Sequence, residues 1–353
     1  MDQSNHDAAG RSDALSLLNV LAAFSVVAIH VNSCYFTFSA TERYWKTAVV
    51  MHFAEYFGVT VFFMLSGATL IGFSDRYDLK TYWKKRCSKT LLPYVFWSFF
   101  AIFWKLFVTH KLTADKISVR FVLDGLLKGN LLSIFWFFIP LFGAYLCIPL
   151  FSAVQKEKRK QTFLYIAVVG FAVNLCLPFL NSLPGTGFKY SLKMLTASDY
   201  LLLLVTGWLL YHCELKKSHA VLLETAGFLS LLFIIWRTIA DSCAAGELVS
   251  NYKGYWELFP YLYGIGVFVF VRTHADKIMR TPFLRTLVRK IQPFTFSVYL
   301  IHYFVIEYLE LHLPINVFSI IYRAGGPFAV FALSCLIAWC IRKIPGGRHV
   351  LPG

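Results

Sequence analysis

The chain has 353 residues, of which 58% are hydrophobic and only 15% charged, and its mean hydropathy is +0.59. A soluble domain is nearer half apolar and a quarter charged, so this composition excludes an ordinary soluble protein and indicates a membrane protein. The formal net charge of +15 does not indicate nucleic-acid binding, because such binding requires a basic face concentrated on a soluble domain, and the sequence predicts none.

Ten apolar stretches follow one another along the chain, and most are long enough to cross the roughly 30 Å hydrocarbon core of a bilayer. Several are interrupted by Gly or Pro, and the sixth and eighth are short enough to be re-entrant. They lie at about 15–34, 48–71, 91–109, 131–152, 162–181, 199–213, 221–240, 257–272, 291–309 and 317–341. The sequence therefore predicts an all-α, polytopic membrane helix bundle of about ten transmembrane helices.

Basic residues are distributed unevenly among the segments that connect these stretches. With a cytoplasmic N-terminus, 22 of the 34 Lys and Arg residues fall on cytoplasmic segments and 10 on external ones. This bias follows the positive-inside rule and predicts that both termini are cytoplasmic. We expect a short cytoplasmic N-terminus (1–14) without a cleaved signal peptide, one membrane domain (15–341) and a short cytoplasmic tail (342–353).

The first span carries two polar side chains inside an otherwise apolar run, Asn19 near its start and His30 near its far end. Polar groups at membrane depth are costly and usually face a protein interior or a wet cavity. The two residues are eleven apart, close to three helical turns, so they share one helix face about 16 Å apart along the axis. The spacing predicts a helix that lines a polar cavity.

The second span offers three more candidates. Ser66 stands beside Gly67, and for it two interpretations remain open: helix packing through small residues, or a nucleophile that forms a covalent intermediate. His52 and Glu55 are three apart on one helix face, where they are able to pair. They are candidates for orienting His30 or for lining the path of an acceptor.

A basic run follows the second span and includes Arg86 and Lys89, which share a helix face at the start of the third span. A run of this kind is often an anchor for lipid headgroups. The alternative is a clamp for a phosphate-bearing donor, a role that suits Arg and Lys.

The ninth span places His302 near mid-depth, with Tyr299 one turn earlier on the same face. The candidate roles of His302 are orienting a bound substrate, stabilising a developing oxyanion, or packing. The eight cysteines are dispersed and contain no CxxC pair, so we predict no metal site and no structural disulfide.

In their order along the chain, these features resemble the membrane acyltransferase-three family, whose multi-pass members transfer acyl groups, most often acetyl, to carbohydrates. The resemblance covers nearly the whole chain. The matching segments are Asn19-x10-His30, Gly58 to Gly67, Lys85-Arg86-x-x-Lys89 with Pro93, Trp136 to Pro140 with Tyr145 and Pro149, and Ser297 to His302.

The resemblance implies that His30 is the catalytic base and that Arg86 and Lys89 handle the acyl-CoA. An imidazole is suited to accepting a hydroxyl proton at neutral pH. The chain departs from the family pattern at two positions, since Asn19 replaces the usual Arg or Lys and Ser16 replaces an acidic residue. These departures leave open an altered or lost activity.

We therefore expect a multi-pass acyltransferase of the cell membrane that transfers an acyl group, with acetyl-CoA as donor, to a hydroxyl of a glycan or lipid-linked sugar. Its expected partners are the acyl-CoA, that acceptor and membrane lipids. Two other function classes remain open: a transporter or flippase for a polysaccharide or lipid-linked sugar, and a sensory or scaffold domain. Stabilisation of the protein by CoA distinguishes the first interpretation from the transporter.

Overall fold

The computed structural model of the chain describes residues 2–183, 185 and 191–353. Lys189, counted above among the external basic residues, lies outside the described residues. Within the described residues the chain is helical and forms no β-strand. The helices are α1 (Asp2–Val31), α2 (Arg43–Ala54), α3 (Gly58–Leu70), α4 (Leu79–Arg86), α5 (Leu92–Phe107), α6 (Val119–Lys128), α7 (Phe138–Ser152), α8 (Lys156–Gly170), α9 (Leu177–Asn181), α10 (Tyr200–His212), α11 (Lys217–Ala245), α12 (Leu258–Ile278), α13 (Pro282–Ile291), α14 (Thr295–His312), α15 (Ile320–Ile341) and α16 (Gly347–Val350).

The polytopic helix bundle is confirmed. In the part of the chain that the structure describes, eight helical stretches are long and apolar enough to cross a membrane: Asp13–Val31, Arg43–Asp75, Leu79–Phe107, Ser133–Ser152, Lys156–Asn181, Lys217–Ala245, Pro282–His312 and Ile320–Ile341. The two remaining predicted spans, the sixth and the eighth, are helices α10 and α12. α10 has only 13 residues, of which nine are buried among the other helices, and about half of the 21 residues of α12 are buried.

α10 and α3 approach each other closely through two glycines. A Cβ at Gly67 would overlap the backbone of Leu204, and a Cβ at Gly207 would overlap the backbone of Met64. Small residues at such crossings allow two helix backbones to pack directly, which is how membrane helices associate without a hydrophobic driving force between them. The contact fixes α3, and with it Ser66, against the interior of the bundle.

α1 lies near the centre of the bundle, where it packs against α3, α12, α14 and α15. The apolar side chains of α1 that face these neighbours are buried, among them Leu18, Ala22 and Val27. Because α1 is held on several sides, the polar side chains that it carries keep fixed positions relative to α3 and α14.

After α15 the chain turns back into the bundle instead of leaving it. Gly346 adopts a positive φ of 81°, which glycine tolerates, and the following residues run between α5 and α14. Leu351 is fully buried, and the Val350 carbonyl accepts a hydrogen bond from the Trp97 indole at 2.9 Å. Arg342 holds the segment by donating to the Leu351 carbonyl at 2.8 Å.

Candidate active site

A cavity of about 280 Å³ opens near the ends of α3, α4 and α14. Its lining includes five residues that the sequence singles out as candidates: Asn19, Ser66, Arg86, Lys89 and Tyr299. They come from four different helical segments that are far apart in the chain, so the fold brings them together. We call this space the inner cavity, because the predicted topology places it at the cytoplasmic side.

The basic residues of the inner cavity sit at a break in regular α-helix. Asp78 caps the start of α4: its side chain accepts from the Thr81 N–H at 3.1 Å, and hydrogen bonding from Thr81 holds the pKa of Asp78 below its usual value. The helix passes into a π-helical turn over Cys87–Leu91, a feature frequently found at functional sites. The turn places Arg86 and Lys89 along the same cavity.

Arg86 has donor capacity that the described residues do not use. Its guanidinium lies over the ring of Tyr145, 5.3 Å from the centroid. Its Nε is buried and has no hydrogen-bond partner within the described part of the chain. An unsatisfied buried donor is costly, and an anionic ligand in the cavity would satisfy it. Lys89 is exposed and adds a second positive charge nearby.

Asn19 and Ser66 bond back to their own helices. The Asn19 amide donates to the Leu15 carbonyl at 3.2 Å, and the Ser66 hydroxyl donates to the Phe62 carbonyl at 2.9 Å. Both residues also line the inner cavity. Because the hydroxyl proton of Ser66 is directed to a carbonyl and not to a base, the geometry favours the packing interpretation of this serine.

His30 and His302 meet across α1 and α14. The Nε2 of His302 lies 3.1 Å from the Nδ1 of His30, and the ring centroids are 5.1 Å apart. His302 is fully buried, whereas His30 is partly exposed. The ring of Tyr303 stands edge-on to His30 at 5.9 Å. Sequence spacing does not predict this contact, because the two histidines are 272 residues apart.

The partners of the two rings assign their tautomers. His302 Nδ1 lies 3.0 Å and 2.8 Å from the carbonyls of Val298 and Tyr299, and His30 Nδ1 lies 2.7 Å from the Val26 carbonyl. Carbonyls only accept, so Nδ1 carries the proton in each neutral ring. His302 Nε2 then accepts from His30 Nδ1–H, and His30 Nε2 is left with a free lone pair.

The inner cavity ends one helical turn before the histidine pair. Tyr299 lines the cavity, and its ring lies 6.0 Å from that of His302. The Tyr299 hydroxyl donates to the Ile134 carbonyl, which fixes the side chain between the cavity and the pair. Neither His30 nor His302 is part of the cavity lining. A ligand that reaches from Arg86 to His30 must therefore pass Tyr299.

His52 and Glu55 lie apart from the inner cavity. The His52 ring stacks on Tyr35 with 3.8 Å between centroids, and its Nδ1 has no hydrogen-bond partner in the part of the chain that the structure describes. α2 ends at Ala54, so Glu55 falls at the helix end. The structure joins His52 to aromatic rings and does not show the pairing with Glu55 that the spacing allows.

The sequence interpretation missed a polar cluster at the opposite end of α14. Glu307 accepts from the Trp104 indole at 3.0 Å and from the Lys111 ammonium at 2.7 Å. This bond to Glu307 raises the pKa of Lys111 above its usual value. Glu310 accepts from the Tyr322 hydroxyl at 3.1 Å. The sequence did contain a pattern that predicts this cluster, because the two glutamates share a helix face with Tyr303. Both glutamates stand near a span end, however, where charged residues are common.

Comparison with known proteins adds one finding to this geometry. A family model described as "Acyltransferase domain" matches residues 12–342, nearly the whole chain, including both histidines and both basic residues of the inner cavity. No curated protein and no solved structure matches the chain.

Proposed function

The chain belongs to the acyltransferase-three family and is a multi-pass membrane acyltransferase, and we propose that it transfers an acetyl group from acetyl-CoA to a hydroxyl of a glycan or lipid-linked sugar at the cell membrane. The observation that carries this proposal is the bonded histidine pair, which leaves one imidazole nitrogen of His30 unprotonated on a partly exposed ring.

The inner cavity supplies the donor site in this proposal. Coenzyme A carries phosphates, which Arg and Lys recognise by charge-assisted hydrogen bonds. Arg86 has a buried Nε without a hydrogen-bond partner among the described residues, and Lys89 stands one helical turn away. The rest of the lining is largely apolar, for example Phe62 and Leu141, and this suits the pantetheine arm.

His30 acts as the general base. The acceptor hydroxyl oxygen attacks the thioester carbonyl while His30 Nε2 takes the hydroxyl proton, so that a C–O bond forms and the C–S bond breaks. His302 holds the His30 ring in the required tautomer by accepting from Nδ1–H. The protonated ring then returns its proton to the departing thiolate, and free CoA leaves. The step consumes no water and requires no metal ligand.

The proposed phosphate site and the proposed base lie at different depths along the bundle, so the bound donor must be long enough to reach from one to the other. Along α1, His30 is eleven residues beyond Asn19, or about 16 Å, and Asn19 lines the inner cavity. The phosphate end therefore stays at Arg86 while the acyl end extends past Tyr299 toward His30. An extended pantetheine arm fits this separation, whereas a short acyl donor without such an arm does not.

The test compares two variants in detergent with radiolabelled acetyl-CoA, one expected to lose acetyl transfer and the other expected to lose CoA binding. We expect His30→Ala to lose acetyl transfer by at least a factor of 100 while CoA still raises its Tm as in the wild type. We expect Arg86→Gln to lose most of the CoA-dependent Tm increase. His312→Ala is the matched control, since this histidine lies on the exposed end of α14 and bonds only to its own helix.

Transfer retained by His30→Ala would refute the role of that residue. A wild-type protein that CoA does not stabilise and that moves no label would instead favour the transporter interpretation, in which the polar cavity conducts a sugar without covalent chemistry.

A further inference from the structure

The helix that carries His302 also carries a continuous polar stripe. Tyr299, Tyr303, Glu307 and Glu310 are spaced four, four and three residues apart, so they fall within about 80° of one another around α14. Tyr299 lines the inner cavity, Tyr303 stands against the His30 ring, and the two glutamates occupy the opposite end of the helix. The stripe therefore runs along α14 from the inner cavity, past the proposed base His30, to the opposite end of the bundle.

At the far end of this stripe, hydrogen-bond acceptors outnumber donors. Each oxygen of Glu307 accepts one bond, from Trp104 or from Lys111, and an ionised carboxylate offers about four lone-pair sites. Glu310 accepts from Tyr322 at one oxygen. Lone pairs thus remain on both carboxylates. A ligand that complements them must donate hydrogen bonds, as a molecule rich in hydroxyl groups does.

The burial of these groups distinguishes the cluster from an ordinary surface ion pair. The Glu307 side chain is only 12% exposed, whereas that of Lys111 is 61% exposed. Glu307 therefore lies between α5 and α14, with Lys111 reaching in from the loop that follows α5. Lys105 also interacts with Glu307, and Lys111 with Glu310, so two lysines offset the charges of the two glutamates and the site does not demand a charged ligand.

We propose that Glu307 and Glu310, together with Tyr303 and Tyr322, form the acceptor subsite, which binds the ring hydroxyls of a neutral sugar and directs one of them to His30. The inference rests on the proposed function. Tyr303 is the link, since its ring contacts His30 and it stands one turn from Glu307 on the same helix face. The acceptor then enters from the end of the bundle opposite to the donor.

The experiment measures transfer of label from acetyl-CoA to the carbohydrate of native membranes that carry each variant. We expect Glu307→Gln and Glu310→Gln each to lower the transfer rate at least tenfold, with the KM for acetyl-CoA and the CoA-dependent Tm unchanged. Glu310→Gln leaves the Lys111–Glu307 pair intact, so it tests the subsite even where Glu307→Gln fails to fold. Asp124→Asn is the control, because Asp124 is a carboxylate paired with Lys128 at 3.8 Å on the exposed surface of the separate helix α6. We expect this variant to transfer label at the wild-type rate.

Three results would overturn the inference. The first is wild-type transfer by both glutamine variants. The second is a parallel loss of Tm and CoA binding in Glu307→Gln, Glu310→Gln and Lys111→Met, which would make the cluster structural. The third is label recovered as an amide rather than as a base-labile carbohydrate ester. Equal labelling by the wild type and His30→Ala would overturn the proposed function itself, and this inference with it.

Discussion

At His302, two backbone carbonyls converge on the same ring nitrogen and thereby determine which nitrogen of the neutral ring carries the proton. The carbonyls of Val298 and Tyr299 both face Nδ1, so Nε2 is directed as an acceptor toward His30. A catalytic base gains from such a partner because its own ring is then fixed in orientation and tautomer. His302 is therefore a positioning residue in the proposed mechanism, and it does not touch the substrate.

This assignment predicts a graded effect of substitution at His302. We expect His302→Phe, which keeps an aromatic ring but removes the acceptor, to lower kcat by about 10–100-fold and to leave the KM for acetyl-CoA within twofold. Steady-state kinetics in detergent measures both parameters, and the CoA-dependent Tm reports on folding. An increase in KM with unchanged kcat would place His302 in donor binding instead.

The sequence identifies the individual polar residues of the site but does not predict the hydrogen bonds between them. Asn19 stands out because polar groups are rare within apolar spans, and Arg86 and Lys89 because they share one helix face. The structure places all three on one cavity. The bond between His30 and His302 depends on the packing of α1 against α14, and no local pattern encodes that. Glu307 was overlooked for a different reason, since a charged residue near a span end is ordinarily an interfacial anchor.

At the scale of helices, the crossing of α3 and α10 determines where the inner cavity can form. α3 supplies Ser66 and Phe62 to the cavity on one side, and its Gly67 meets the Leu204 backbone on another. α10 is too short to be recognised with certainty as a span, because its 13 residues fall below the length that a bilayer requires. Its burial inside the bundle explains how so short an apolar helix is accommodated.

The close crossing of α3 and α10 predicts that adding one methyl group at Gly67 lowers the stability of the protein. We expect Gly67→Ala to destabilise the protein by about 1–3 kcal/mol, because the new Cβ would overlap the backbone of α10 rather than a movable side chain. Gly143→Ala is the matched control on α7, where a Cβ would meet nothing within 4 Å. Thermal unfolding in detergent measures both variants, and a Tm for Gly67→Ala equal to that of Gly143→Ala would contradict the crossing.

At the scale of the whole molecule, the two ends of the bundle differ in chemistry. One end holds Arg86 and Lys89 with a surplus of hydrogen-bond donors, and the other holds Glu307 and Glu310 with a surplus of acceptors. A donor with phosphates suits the first end, and a hydroxyl-rich acceptor suits the second. The composition alone predicted a bundle of membrane helices, and the charge bias predicted its orientation. The proposed division of the two substrates between opposite ends rests on the positions of these four side chains in the structure.

This division is meaningful only if the basic end faces the cytoplasm, where acetyl-CoA is made, and two native cysteines test that orientation. Cys87 follows α4 beside Arg86, Cys243 lies near the end of α11, and both are exposed. The positive-inside rule places Cys87 inside and Cys243 outside. In variants that retain only one cysteine, a membrane-impermeant maleimide added to intact cells should label Cys243 at once and Cys87 only after permeabilisation. The reverse pattern would place the basic cavity outside the cell and remove the proposed route of the donor to His30.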